Sequence, residues 1–97
     1  GGRPGARHEN VEDYIKRMDD IEKIATTFPG VEKAFAVQAG REVRVIVTPD
    51  RISYEELPKL VHDIAARISK EVMVPGAVKI TAIRETRASE STMTIPQ

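Results

Sequence analysis

Apolar residues recur along this chain at two periods, and each period predicts a kind of element. Val11, Tyr14, Met18, Ile21, Ala25 and Phe28 follow one another in steps of three and four, with Ile15 and Ile24 widening the stripe. That is one face of a helix. Asn10 can cap its start, and Asp13 stands where an acid favours the orphan amides of the first turn. Pro29-Gly30 ends it. From Val31 to Gln38 and again from Arg41 to Thr48 the period drops to two, so two strands are predicted around Ala39-Gly40.

The loop between the strands sets the register. A three-residue turn Gln38-Ala39-Gly40, with Gly40 left-handed, would pair Val37 with Arg41 and Phe35 with Val43. Phe35, Val37, Val43, Val45 and Val47 then share one face, whereas a two-residue loop would split them between both. Pro49-Asp50 breaks the second strand, and Ser53-x-x-Glu56 is a capping box opening a second helix. Its stripe is Leu57, Leu60, Val61, Ile64, Ala65, Ile68 and Val72, with Pro58 expected to distort the first turn. After Pro75-Gly76 a third strand runs from Ala77 to Arg84, alternating Val78, Ile80 and Ala82 with Lys79, Thr81 and Ile83. The expected fold is an α+β two-layer sandwich, in the order helix-strand-strand-helix-strand, with a three-stranded sheet built on a β-hairpin. Residues 1–9 read as a linker, 10–88 as the domain and 89–97 as a flexible tail.

Composition narrows the class. In 97 residues, 15 Lys and Arg balance 15 Asp and Glu, so no global basic excess marks an autonomous nucleic-acid binder. The absence of cysteine excludes disulfides, thiolate metal sites and a cysteine nucleophile, and fits a reducing cytosol. No apolar run approaches the roughly 18 residues of a membrane span.

Candidate chemistry is sparse. His62-Asp63 spells the dipeptide of metal-dependent HD phosphohydrolases, but both residues fall on the solvent side of the second helix, and the other histidine, His8, lies in the leading linker. Ser53 serves better as a cap than as a nucleophile. Asp19-Asp20 and Glu55-Glu56 belong to solvated helix faces. No catalytic, cofactor-binding or metal-binding residue is assigned.

Binding is harder to dismiss. The expected second sheet face carries Ala34, Ala36, Arg44, Ile46, Thr48, Lys79, Thr81 and Ile83, too apolar for water and too polar for a core. Either the first helix covers it or it is a protein–protein surface, with Arg44, Ile46, Lys79, Thr81 and Ile83 as contact residues. A nucleic-acid reading would use Arg41, Arg44, Lys79, Arg84 and Arg87 as phosphate contacts. With Phe35 assigned to the core, no base-stacking platform remains for it.

Several segments resemble the C-terminal end of the ribonuclease Y family. They are Arg3-Pro-Gly-Ala-Arg7, Glu12-Asp-Tyr-Ile-Lys-Arg17, Phe35-Ala-Val-Gln-Ala-Gly-Arg-Glu-Val-Arg-Val-Ile-Val47, Asp63-Ile-Ala65, Val74-Pro-Gly76, Val78-Lys-Ile-Thr81 and Ile83-Arg-Glu-Thr-Arg-Ala88. The similarity runs in the family's order from about Arg3 to Ala88. It departs at Pro58, where the family keeps its helix free of proline, and at the tail, which is longer than the family's Val-Glu-Tyr ending.

The resemblance implies a parent with a membrane-anchoring N-terminus, a coiled coil, a KH RNA-binding domain and a metal-dependent HD domain preceding this region. It implies an endoribonuclease that initiates messenger RNA decay in the cytoplasm, with its divalent metal in the HD domain and none here. The family usually has a basic residue at the position of His62. This region is then expected to be a non-catalytic assembly or regulatory module that associates with itself or with the HD domain. Other RNA-decay proteins are further candidate partners, RNA is reached through the parent, and this piece is expected to make no membrane contact. The alternative is an accessory domain that touches RNA directly.

Overall fold

The computed structural model describes residues 11–86 and 88–92. Helix α1 spans Val11–Thr26 and is followed by strands β1 (Val31–Val37) and β2 (Glu42–Val47), helix α2 (Leu57–Glu71) and strand β3 (Lys79–Arg84). The sheet order is β1-β2-β3, with β1 antiparallel and β3 parallel to β2. The expected architecture and element order are those observed; the proposed cap Asn10 lies outside the described residues.

Both helices pack on the same side of the sheet. Met18, Ile21 and Ala25 of α1 and Leu60, Ile64 and Ile68 of α2 form one buried cluster with Val43, Val45 and Val47 of the central strand. Ala34, Ala36, Val78 and Ile80 are partly buried against it. Most of the predicted stripe residues thus reach the core; Val11 and Ile15 at the start of α1 remain exposed, and Val61 and Ala65 of α2 are half-buried outside the cluster. α1 also protects the outer edge of the sheet: the Ala36 N–H donates to Glu22 Oε2 at 3.1 Å, removing a free donor from an edge strand.

The hairpin register differs from expectation by one residue. Val37 pairs with Glu42, Ala36 with Val43, Phe35 with Arg44 and Ala34 with Val45. The loop therefore holds four residues, Gln38 to Arg41, in which Gln38, Ala39 and Gly40 all have positive φ and Arg41 returns to a right-handed conformation. The shift turns Phe35 and Val37 to the side away from the helices and brings Ala34 and Ala36 in beneath α1. The reason is steric: two alanines let a helix lie close on an edge strand, and a phenylalanine between them and the helix would hold it off. A register irregularity between Val31 and Lys33 restores the pairing of Val31 with Val47.

Pro58 is accommodated where its missing N–H matters least. Tyr54–Glu56 form a short 3-10 turn and the α-helix begins at Leu57, so the proline lies in the first helical turn. The Ser53 N–H donates to Glu56 Oε1 at 2.6 Å, as the capping-box spacing predicts. That bond holds the Glu56 carboxyl below its ordinary value.

Candidate functional site

With both helices on one side, the opposite face of the sheet is left open. Register arranges nine side chains there in three rows: Val37, Glu42 and Lys79; then Phe35, Arg44 and Thr81; then Lys33, Ile46 and Ile83. Of the two alternatives for the second face, cover by α1 is not the one observed, since α1 shares the valine face with α2. Ala34 and Ala36, assigned to the second face, belong to the core side. Phe35 and Val37, assigned to the core, belong to the open one.

The charges on this grid lie in order. Lys33 on β1, Arg44 on β2 and Lys79 on β3 occupy a diagonal from corner to corner. Same-face neighbours are roughly 7 Å apart along a strand and strands about 4.8 Å apart, so each diagonal step is about 8 Å. Lys33 and Lys79 are exposed, and 42% of the Arg44 side chain is accessible. Phe35 flanks the diagonal at 36% exposure, with the Lys33 ammonium 6.0 Å from its ring centroid.

The grid's one carboxylate is engaged from within. Glu42 is 6% exposed; its Oε2 accepts the Thr81 hydroxyl at 2.7 Å and its Oε1 accepts the Gln38 amide at 3.2 Å. Arg44 Nε approaches at 3.5 Å. The Thr81 hydrogen bond, helped by Arg44 and Lys79, holds the Glu42 carboxyl below its ordinary value against the opposing effect of burial. Beyond the Lys33 row, a depression of about 360 Å³ is lined by Glu32, Ile46, Pro49, Asp50, Glu85 and Thr86. Its three carboxylates mark that end of the face as acidic.

The structure sorts the sequence candidates. Arg44, Lys79, Thr81 and Ile83 do share the open face, but Ile46, only 6% exposed, is covered by its own chain and offers little surface. Among the phosphate candidates, Arg44 and Lys79 are brought together, and exposed Arg41 lies in the adjoining turn, its carbonyl accepting the Lys79 N–H at 2.9 Å. Arg84 points to the other side, where its Nε and Nη2 donate to the carbonyls of Ile52 at 2.6 Å and Pro49 at 3.1 Å. Arg87 lies outside the described residues. Sequence reasoning missed Lys33 and Phe35. The available signal was the Ala34/Ala36 alternation, which reads as a helix-contact face once α1 is laid over β1.

On α2, His62 is exposed and Asp63 pairs with Lys59 at 2.7 Å. Asp19 and Asp20 pair with Lys23 and Lys16 at 2.9 and 3.0 Å. Among the described residues no group of His, Cys, Asp and Glu could hold a metal ion, and no helix is long and apolar enough to cross a membrane.

What this fold presents is a surface: a small α+β domain with one packed and one open sheet face. Its sequence places it more narrowly. The chain is 58% identical over 88 residues to ribonuclease Y of Thermus thermophilus, a match covering 91% of this chain and 15% of that protein. It is 53% identical over 90 residues to ribonuclease Y of Geobacter metallireducens and 50% over 90 residues to that of Acidothermus cellulolyticus. Those two matches cover 93% of this chain and 17% and 18% of the relatives. The chain belongs to the ribonuclease Y family, matching its C-terminal region, and spans less than a fifth of the length of these curated relatives. No family model and no solved structure matches it.

Proposed function

We propose that this chain is the non-catalytic C-terminal module of a ribonuclease Y-type endoribonuclease that initiates messenger RNA decay, and that it works by docking through its open sheet face. The observation that carries this reading is the one-sided packing of α1 and α2, which leaves a sheet face of mixed cationic and apolar character without a covering helix. The hydrolytic groups, and the divalent metal they use, then belong to the preceding HD domain of the parent. The parent's N-terminus, not this domain, supplies its attachment to the membrane.

The test is truncation of the full-length parent just before α1, assayed on a short RNA at saturating concentration. The expected result is an unchanged kcat on that substrate. A kcat reduced to that of an HD-site knockout would overturn the reading, as would metal-dependent RNA cleavage by this chain alone.

A further inference from the structure

Resting on that docking reading, we propose that the occupant of the open face is single-stranded RNA. Its phosphodiester backbone follows the Lys33–Arg44–Lys79 diagonal, and a base stacks on Phe35. Three features of the face support this together. The cations form a line across all three strands, from one corner of the grid through Arg44 at its centre to the opposite corner. The only carboxylate among them, Glu42, is buried, bonded to Thr81 and Gln38 and 3.5 Å from Arg44 Nε, so it offsets one of the three cations and the grid remains net positive although the whole chain is neutral. Phe35 then supplies an apolar aromatic surface beside that line, the combination single-stranded nucleic acid uses because every base has a stacking face and every linkage a charge.

The same charges argue against a second copy of this chain as the occupant. Two faces related by a twofold axis through their centre would set Arg44 against Arg44, like charge against like charge. The acidic depression beyond Ile46 bounds the RNA track at one end. Exposed Arg41 extends it at the other, next to Lys79. The choice of RNA over DNA rests on the proposed ribonuclease Y-type role and not on a residue of this face.

The experiment is fluorescence anisotropy of a labelled oligouridine titrated with this chain across a salt series. Three phosphate contacts give a slope of log K against log salt of about −2, since each contributes roughly −0.7 on a single strand. Lys33→Gln, Arg44→Gln and Lys79→Gln should each weaken binding and reduce the slope by about 0.7. Phe35→Ala should weaken binding about fivefold or more at every salt concentration without changing the slope. Phe35→Leu, which keeps apolar bulk but removes the ring, should do the same, and thermal melts establish that each variant is folded. Lys70→Gln removes an equal charge from exposed α2 and should change nothing.

Absence of binding at low salt would overturn the proposal. So would binding that Lys70→Gln weakens as much as Arg44→Gln, because the affinity would then be that of any cation on the surface. Equal binding of a polyglutamate peptide, indifferent to Phe35→Ala, would assign the face to an acidic protein instead. A dimer in sedimentation equilibrium that Ile83→Glu dissociates would assign it to a second copy. Each of these leaves the kcat of the truncated parent untouched, so the RNA proposal can fail while the docking reading stands.

Discussion

Gly40 lies so close to Tyr14 that a Cβ on it would fall 2.8 Å from Tyr14 Cε1 and 3.2 Å from Met18 Sδ. Its φ of +83° is one that L side chains rarely adopt. The glycine thus lets the hairpin turn pass under α1 and also completes the run of positive φ that makes the loop four residues long. Gly40→Ala combines backbone strain with a clash and should cost about 2 kcal/mol or more in urea denaturation, a drop in Tm of roughly 4–8 °C for each kcal/mol. In a Tyr14→Ala background the same change should cost less, because the closest clash is relieved and only the strain and the 3.2 Å approach to Met18 Sδ remain. Equal costs in the two backgrounds would mean that Tyr14 is not what constrains the turn.

Glu42 gives the protein an acid-sensitive limb. Its carboxyl is held below its ordinary value by the Thr81 hydrogen bond first, then by Arg44 and Lys79. A depressed folded pKa contributes stability that is complete above the ordinary glutamate pKa of about 4.3 and is lost as pH falls through the folded value. Glu56, lowered by its bond to Ser53, acts in the same direction. Glu42→Gln should therefore be less stable than the wild type at neutral pH, with the gap closing as pH falls below about 4. Denaturation midpoints measured from neutral to strongly acidic pH would show this. A gap that is constant with pH would mean that Thr81 gives the ionised carboxylate no preference.

Arg84 distinguishes a structural arginine from a phosphate-binding one. Its guanidinium clamps the carbonyls of Ile52 and Pro49, tying β3 to the loop between β2 and α2. Arg84→Lys keeps the charge but loses the planar fork, so stability should fall by about 1–3 kcal/mol. Chemical denaturation measures that loss; an unchanged midpoint would release Arg84 from the clamp and restore it as a candidate for binding.

Much of the fold was legible because long periodic stripes survive small errors of placement. The stripe through Met18, Ile21 and Ala25 and that through Leu60, Ile64 and Ile68 both reach the core as read, and Val43, Val45 and Val47 do so from the central strand. The edge strand was not legible in the same way. Hydrophobicity alone ranks Phe35 and Val37 as core and Ala34 and Ala36 as neutral, and nothing local says that a helix will lie over the alanines. One residue of loop length then exchanges the faces of β1, because side chains alternate strictly. The candidate site inherited that error: Arg44, Lys79 and Thr81 were found from β2 and β3, and Lys33 and Phe35 on β1 were missed.

The register itself can be tested by two substitutions on adjacent residues. With Phe35 in a core, Phe35→Ala would cost about 3–5 kcal/mol, the usual loss for a buried aromatic. On the open face, 36% exposed, it should cost about 1 kcal/mol, the scale of a cross-strand pair. Ala36→Leu should behave in the opposite sense. It drives a branched side chain under α1 beside the bond that the Ala36 N–H donates to Glu22, and overpacking of that kind costs roughly 1–3 kcal/mol. Equilibrium unfolding of the two single variants therefore ranks Ala36→Leu as the more damaging, although it adds apolar surface and Phe35→Ala removes it. The reverse ranking would return Phe35 to the core, shift the hairpin by one residue and dissolve the aromatic flank of the cationic diagonal.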